Sequence, residues 1–118
     1  MLVADDDALV RTILRLVLTR AGYQVTEACD AIEIIRVAHS QRPDLVILDI
    51  NMPGGTVHNT LGSLREVLPG LPILVLSGEL EIPVDLLGVA LDFARKPIGR
   101  DELLARVKSL LSFASMVS

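Results

Sequence analysis

A chain of 118 residues fits one domain with a real core, and at 51% apolar with one tyrosine, two phenylalanines and no tryptophan that core is aliphatic. A net charge of −4 without a Lys/Arg cluster argues against a nucleic-acid surface, and a lone cysteine, Cys29, excludes a disulfide framework or a Cys-based zinc site. No apolar run approaches the ~18 residues of a membrane span, and Met1-Leu2-Val3-Ala4 runs straight into acids, unlike a signal peptide, so no membrane is expected and the cytoplasm is the expected location.

Met1 to Ala4 reads as a short apolar strand ending in Asp5-Asp6-Asp7. A helix follows, with Leu9, Val10, Ile13, Leu14, Val17, Leu18 and Ala21 at three-and-four spacing, stopped by Gly22 at a C′ position. Tyr23 to Ala28 reads as a second strand, after which Cys29 is expected to be a buried structural thiol. Asp30 can cap a helix carrying Ile32, Ile34, Ile35 and Val37 to about Ser40. After Pro43, the continuous apolar run Leu45 to Leu48 has the signature of a strand buried on both faces. Asp49 follows it directly, and Met52-Pro53-Gly54-Gly55 turns the chain away.

A third helix is predicted from about Val57 to Leu68, closed by Pro69-Gly70, and a fourth strand from Ile73 to Leu76, ending at Ser77-Gly78. Glu79 to Gly88 is apolar enough for a helix, but Pro83 permits one only from about that point. Leu91 to Arg95 is the fifth strand, ending in Lys96-Pro97, and Asp101 starts a last helix with Leu103, Leu104, Val107, Leu110 and Leu111 on one stripe. Strand and helix alternate with short links and without repeats or linkers, which predicts a doubly wound α/β domain spanning residues 1–118.

In open α/β sheets, ligands bind beyond the carboxyl ends of the strands. If all strands are parallel, Asp5-Asp6-Asp7, Asp49, Ser77 and Lys96 gather at one edge. Clustered carboxylates repel, so one takes up a proton unless a cation sits among them, and oxygen-only ligands favour Mg²⁺ over zinc or copper. Such a site can hold a phosphoryl group, with an aspartate as nucleophile and a lysine and a hydroxyl on its oxygens. Each residue alone is weak evidence; the acid run alone would pass for a helix cap, Ser77 for a turn residue and Lys96 for a surface lysine. His39 and His58 read as solvated helix residues.

The chain resembles the response-regulator receiver domain of two-component signalling over nearly its whole length. Val3-Ala4-Asp5-Asp6-Asp7, with Arg11 and Gly22 at the expected offsets, looks like the family's first acidic motif. Glu27-Ala28-Cys29-Asp30 with Glu33 looks like its second-strand exit, and Pro43 to Pro53 is very close to its phosphorylation motif. Leu76-Ser77-Gly78 matches the switch hydroxyl, and Phe93-Ala94-Arg95-Lys96-Pro97 the aromatic-to-lysine motif. The resemblance implies a flavodoxin-like (βα)5 sandwich whose five parallel strands run in the order 2-1-3-4-5. It implies that Asp49 accepts phosphoryl from the phosphohistidine of a sensor histidine kinase or histidine phosphotransfer protein. Asp6 and Asp49 then bind Mg²⁺ (or Mn²⁺ in its place) directly, Asp5 through water, and the Asn51 backbone carbonyl adds a ligand. Ser77 and Lys96 grip the phosphoryl oxygens, Phe93 rotates inward as Ser77 moves, and a downstream protein reads the change. The Lys96-Pro97 bond is expected to be cis, which X-Pro permits at roughly 0.5–1 kcal/mol. A monomer or weak homodimer is expected.

The chain departs from the family pattern in places. Val57 stands where the family usually has glycine, with Gly54 and Gly55 earlier, and Ala31 and Val89 also replace common glycines. The segment from Ser77 to Lys96 is short and contains Pro83, which predicts a short or irregular fourth helix. Asn51 and Glu79 occupy positions resembling those that control hydrolysis of the acyl phosphate, and the same pair occurs in chemotaxis-type single-domain regulators. Two other readings compete. Asp5-x-Asp7 mimics a haloacid-dehalogenase phosphatase motif, but those enzymes carry the nucleophile on the first strand and need a later acidic pair not found here. A pseudo-receiver that never takes phosphate is the other, and the intact set of Asp5, Asp6, Asp49, Ser77 and Lys96 argues against it. A flavin binder is excluded because its first loop would carry glycines and hydroxyls, not three acids. No output module is expected within the chain, which reads either as a single-domain regulator or as a receiver excised from a longer one.

Overall fold

The computed structural model describes residues 1–50, 52–54, 57–78 and 91–117. In chain order the elements are β1 (Leu2–Ala4), α1 (Ala8–Arg20), β2 (Thr26–Ala28), α2 (Ala31–Gln41), β3 (Val46–Asp49), α3 (Val57–Val67), β4 (Ile73–Ser77), β5 (Leu91–Arg95) and α4 (Arg100–Val117). The strands form one sheet in the order β2-β1-β3-β4-β5 with every pair parallel, the doubly wound flavodoxin-like arrangement the sequence predicts. The fourth helix expected around Pro83, and Val89 with it, fall in residues 79–90, outside the described residues.

Alternation along the strands sorts the aliphatic side chains into two cores. Leu2, Ala4, Val46, Leu48, Ile73 and Val75 pack with Ile34 and Val37 of α2 and with Leu61 and Leu64 of α3. Val3, Ile47, Leu74 and Leu76 point the other way, onto Leu14 and Leu18 of α1 and onto Leu103, Val107 and Leu110 of α4. Both faces of the central strands are therefore dry, which is why β3 and β4 are continuous apolar runs.

Helix ends follow local chemistry. The Asp7 side chain caps α1 by accepting from the backbone N–H of Leu9 (2.9 Å) and Val10 (3.4 Å). At the far end Gly22 takes a φ of +99°, which only glycine adopts without strain, and the Tyr23 N–H returns to the Leu18 carbonyl at 3.1 Å. Asp30 caps α2 through the Glu33 N–H at 2.8 Å.

Three expectations need correction. The second strand does not begin at Tyr23: β2 can pair only where β1 offers backbone, and β1 is three residues long, Leu2 to Ala4 opposite Thr26 to Ala28. Tyr23 and Val25 instead lean on the α1/α4 core. The stripe on α1 is wider than its buried face, for Leu9 is 67% and Ile13 52% exposed. Cys29 is exposed rather than buried, because it lies one residue past the edge strand, where the apolar packing ends at Ala28.

The acid run is thus divided at its third member, which serves the helix. Replacing Asp7 with Ala removes the cap and should cost about 1 kcal/mol in urea unfolding, while leaving divalent-cation binding unchanged. Loss of cation binding in Asp7→Ala would show that the cap and the acidic cluster are one unit.

Candidate functional site

The register of the sheet assembles the site. Ala4 of β1 lies opposite Leu48 of β3, so the next residues, Asp5 and Asp49, leave the sheet side by side. Both are buried, at 1% and 6% exposure, while Asp6 is exposed, and a carboxylate oxygen from each of the three lies within 4.8 Å of the others. Lys96, directly after β5, is the cation among them: its Nζ donates to Asp5 Oδ2 at 2.7 Å and lies 3.3 Å from Asp49 Oδ1. The other oxygen of Asp5 accepts from the Asp7 backbone N–H at 2.9 Å.

Ser77 closes β4 and is buried, and its carbonyl accepts the Lys96 N–H at 2.8 Å, which fixes the exit of β5 against that of β4. The Lys96-Pro97 bond is cis. Phe93 is half-buried against the α2/α3 core. Asp30 stands back as a helix cap, and His39 is exposed in the last turn of α2. Asn51 and Glu79 lie outside the described residues, as does the His58 side chain.

The turn beyond Asp49 is held from the side. The Ala31 N–H donates to the Pro53 carbonyl at 3.0 Å, and Gly54 takes a φ of +91°. A Cβ on Gly54 would stand 3.4 Å from the Ala31 nitrogen and 3.5 Å from its Cβ. Among the described residues of this turn the left-handed one is Gly54, three residues before Val57, the position where a family glycine is expected.

A family model described as the response regulator receiver domain matches residues 1–108. The chain belongs to the response-regulator receiver family. It is a receiver domain of the kind found in two-component response regulators. Among curated relatives, the response regulator MprA of Mycobacterium ulcerans (strain Agy99) is 39% identical over 114 residues, which cover 94% of this chain and 49% of the relative. The chain thus spans about half the length of the curated relatives it matches. The receiver domain of the hybrid histidine kinase CckA is 31% identical with a TM-score of 0.80, over 93% of this chain and 96% of that one. Chemotaxis protein CheY4 of Vibrio cholerae is 28% identical with a TM-score of 0.82, over 92% and 95%. Receivers of this family work with sensor kinases, and among the described residues no helix is long and apolar enough to cross a membrane.

Two supporting contacts of this receiver are not predicted from the sequence, although Arg11 stands there at the family's expected offset from the acid run. Arg106 of α4 donates to Asp92 Oδ1 at 2.7 Å and to the Phe93 carbonyl at 3.0 Å, so it holds the backbone of the aromatic from behind. Its spacing to Glu102 marks a helix-surface pair, but nothing in the sequence points to Asp92. The second is Arg11, whose Nη1 donates to the Asp5 carbonyl at 2.5 Å.

Electrostatics separate the two reactive-looking side chains. Desolvation and the neighbouring carboxylates of Glu33 and Asp30 hold the Cys29 thiol above its ordinary pKa, so it is a poor nucleophile. For Lys96, burial pulls the pKa down, but the hydrogen bond to Asp5 and the charges of Asp49 and Asp5 together outweigh it, and the net direction is up. A lysine whose pKa is raised by folding lends stability that is fully present below its unfolded pKa and lost as pH rises through the folded one. The stability difference between the parent chain and Lys96→Met should therefore be constant from neutral pH to about 10 and shrink above 10.5, followed by urea unfolding across that range. A difference that vanishes already at pH 8 would contradict the raised value.

Proposed function

We propose that this receiver is a phosphoacceptor and that Asp49 takes the phosphoryl group. The observation that carries this reading is the buried Asp49 carboxylate beside the Lys96 ammonium, with Asp5 and Asp6 close enough to share one cation. An oxygen of Asp49 attacks phosphorus on the phosphohistidine of a sensor histidine kinase or a histidine phosphotransfer protein. The P–N bond breaks as the P–O bond forms, and the departing imidazole nitrogen takes a proton. Lys96 stays protonated and offers its N–H groups to the phosphoryl oxygens, and the Ser77 hydroxyl donates to another.

The donor set suits a hard divalent cation. Asp5, Asp6 and Asp49 offer only oxygens, as does the Asn51 backbone carbonyl that would join them, and that chemistry fits Mg²⁺ or Mn²⁺. When bound, the ion neutralises charge on the transferring phosphoryl oxygens. Residues 1–118 act as one receiver unit in this reading. The signal passes as a shift between two conformers in which Ser77 moves toward the phosphoryl group and Phe93 packs inward. An apolar groove of about 310 Å³ lined by Val10, Ile13 and Leu14 of α1, Leu76 and Lys96-Pro97-Ile98 opens beside the site, room for a few apolar side chains of the phosphodonor protein. The downstream protein binds the switched face, no nucleic acid is engaged by this domain, and self-association is weak or absent.

With Mg²⁺ and a small phosphodonor such as acetyl phosphate, intact mass should gain one phosphoryl group, and both Asp49→Asn and removal of the metal should abolish the gain. An adduct that survives Asp49→Asn but is lost in Asp5→Asn would favour a haloacid-dehalogenase-type nucleophile. No adduct in any condition would leave an interaction module that signals by binding alone. Asn51 and Glu79 support a short-lived acyl phosphate, followed by mass after donor removal; a half-life of many hours would sink that part.

A further inference from the structure

Asp5 is unusual in the number of its groups already committed within the chain. Its N–H donates to the Ala28 carbonyl at 3.2 Å, one carboxylate oxygen accepts from the Asp7 N–H and the other from Lys96. Its carbonyl, the point from which the chain turns toward Asp6, is held by a guanidinium: Arg11 Nη1 donates to it at 2.5 Å. Arg11 is itself anchored, with Nε 3.5 Å from Glu27 Oε1 on β2, and only 18% of its side chain is exposed. The second oxygen of Glu27 is occupied by Arg15, 3.3 Å away. Glu27 pairs in register with Val3, so an edge-strand carboxylate, a helix guanidinium and the peptide between Asp5 and Asp6 form one chain of contacts.

We propose that Arg11, braced by Glu27, is a positioning residue for the cation site, setting the peptide that carries Asp6 toward Asp49. This inference rests on the reading of the acidic cluster as a divalent-cation site. Charge and geometry make opposite predictions here, which gives the proposal its test. If Arg11 acted only as a nearby positive charge, removing it would leave the acidic cluster more negative and Mg²⁺ would bind more tightly. If it sets the geometry, removing it frees the Asp5-Asp6 peptide and Mg²⁺ binds more weakly, by roughly tenfold as is usual for the supporting partners of a metal site. Arg15 provides the control, because it pairs with the same Glu27 but not with Asp5.

The experiment is calorimetric titration of the folded chain with Mg²⁺ alone, well below the unfolding temperature, for the parent, Arg11→Gln, Arg11→Lys, Glu27→Gln and Arg15→Gln. Expected is a roughly tenfold weaker dissociation constant in Arg11→Gln, part of that loss in Arg11→Lys and Glu27→Gln, and a change of less than about twofold in Arg15→Gln. Should Arg11→Gln not fold, the reading is taken from Arg11→Lys, which keeps the positive charge but not the guanidinium fork, so that weaker binding there reports geometry alone. Unchanged or tighter binding in the Arg11 variants, with the parent binding normally, overturns the positioning role and leaves the cation site standing. A parent chain that binds no Mg²⁺ overturns both.

Discussion

Two carboxylates buried side by side are the constraint on which the rest of this domain turns. Like unit charges about 4 Å apart cost about 4 kcal/mol at an effective dielectric of about 20, and Asp5 and Asp49 have almost no water to spread that charge. A cation from elsewhere in the chain offsets that cost. It comes from the far end of the chain: Lys96 follows β5, and its ammonium bridges both acids. The exit of β5 is fixed in turn by the hydrogen bond from the Lys96 N–H to the Ser77 carbonyl. Charge balance at the sheet edge and strand order are thus one problem with one solution.

That solution also describes a poised state. The lysine that neutralises the acids in this conformation is also the group that the proposed phosphotransfer assigns to the phosphoryl oxygens, and the two roles would compete for the same N–H groups. In the proposed phosphotransfer, redistribution of the Lys96 hydrogen bonds would be the local change that the packing around β4 and β5 feels. Arg106 ties the Phe93 carbonyl and Asp92 to α4, so β5 is joined to the outer helix by hydrogen bonds as well as by side-chain contact.

How far the sequence could be read depended on whether the deciding interactions were local. β3 and β4 were legible because apolar runs end abruptly in polar residues, Asp49 and Ser77, and β5 because the aromatic-to-lysine motif places its end just before Lys96. The four described helices were legible from apolar period and, for α1 and α2, from their caps. What could not be read was anything set by a neighbour in space. The length of β2 is dictated by the shortness of β1, and the exposure of Cys29 by its place beyond an edge strand. The outward position of Leu9 and Ile13 depends on where the sheet stops covering α1. The Arg11–Glu27 and Arg106–Asp92 pairs join separate elements, and no spacing rule announces them.

Asp5, Asp6 and Asp7 look interchangeable as letters, three copies of one side chain. In the fold the first is buried and fully committed, the second stands at the rim of the acidic cluster, and the third turns back to start a helix. Each occupies a different direction of the backbone as it leaves the sheet, so none can substitute for its neighbour. A repeat that suggests redundancy contains no spare member, and sliding the run by a single residue would disturb a buried ion pair, the acidic cluster and a helix cap at one stroke.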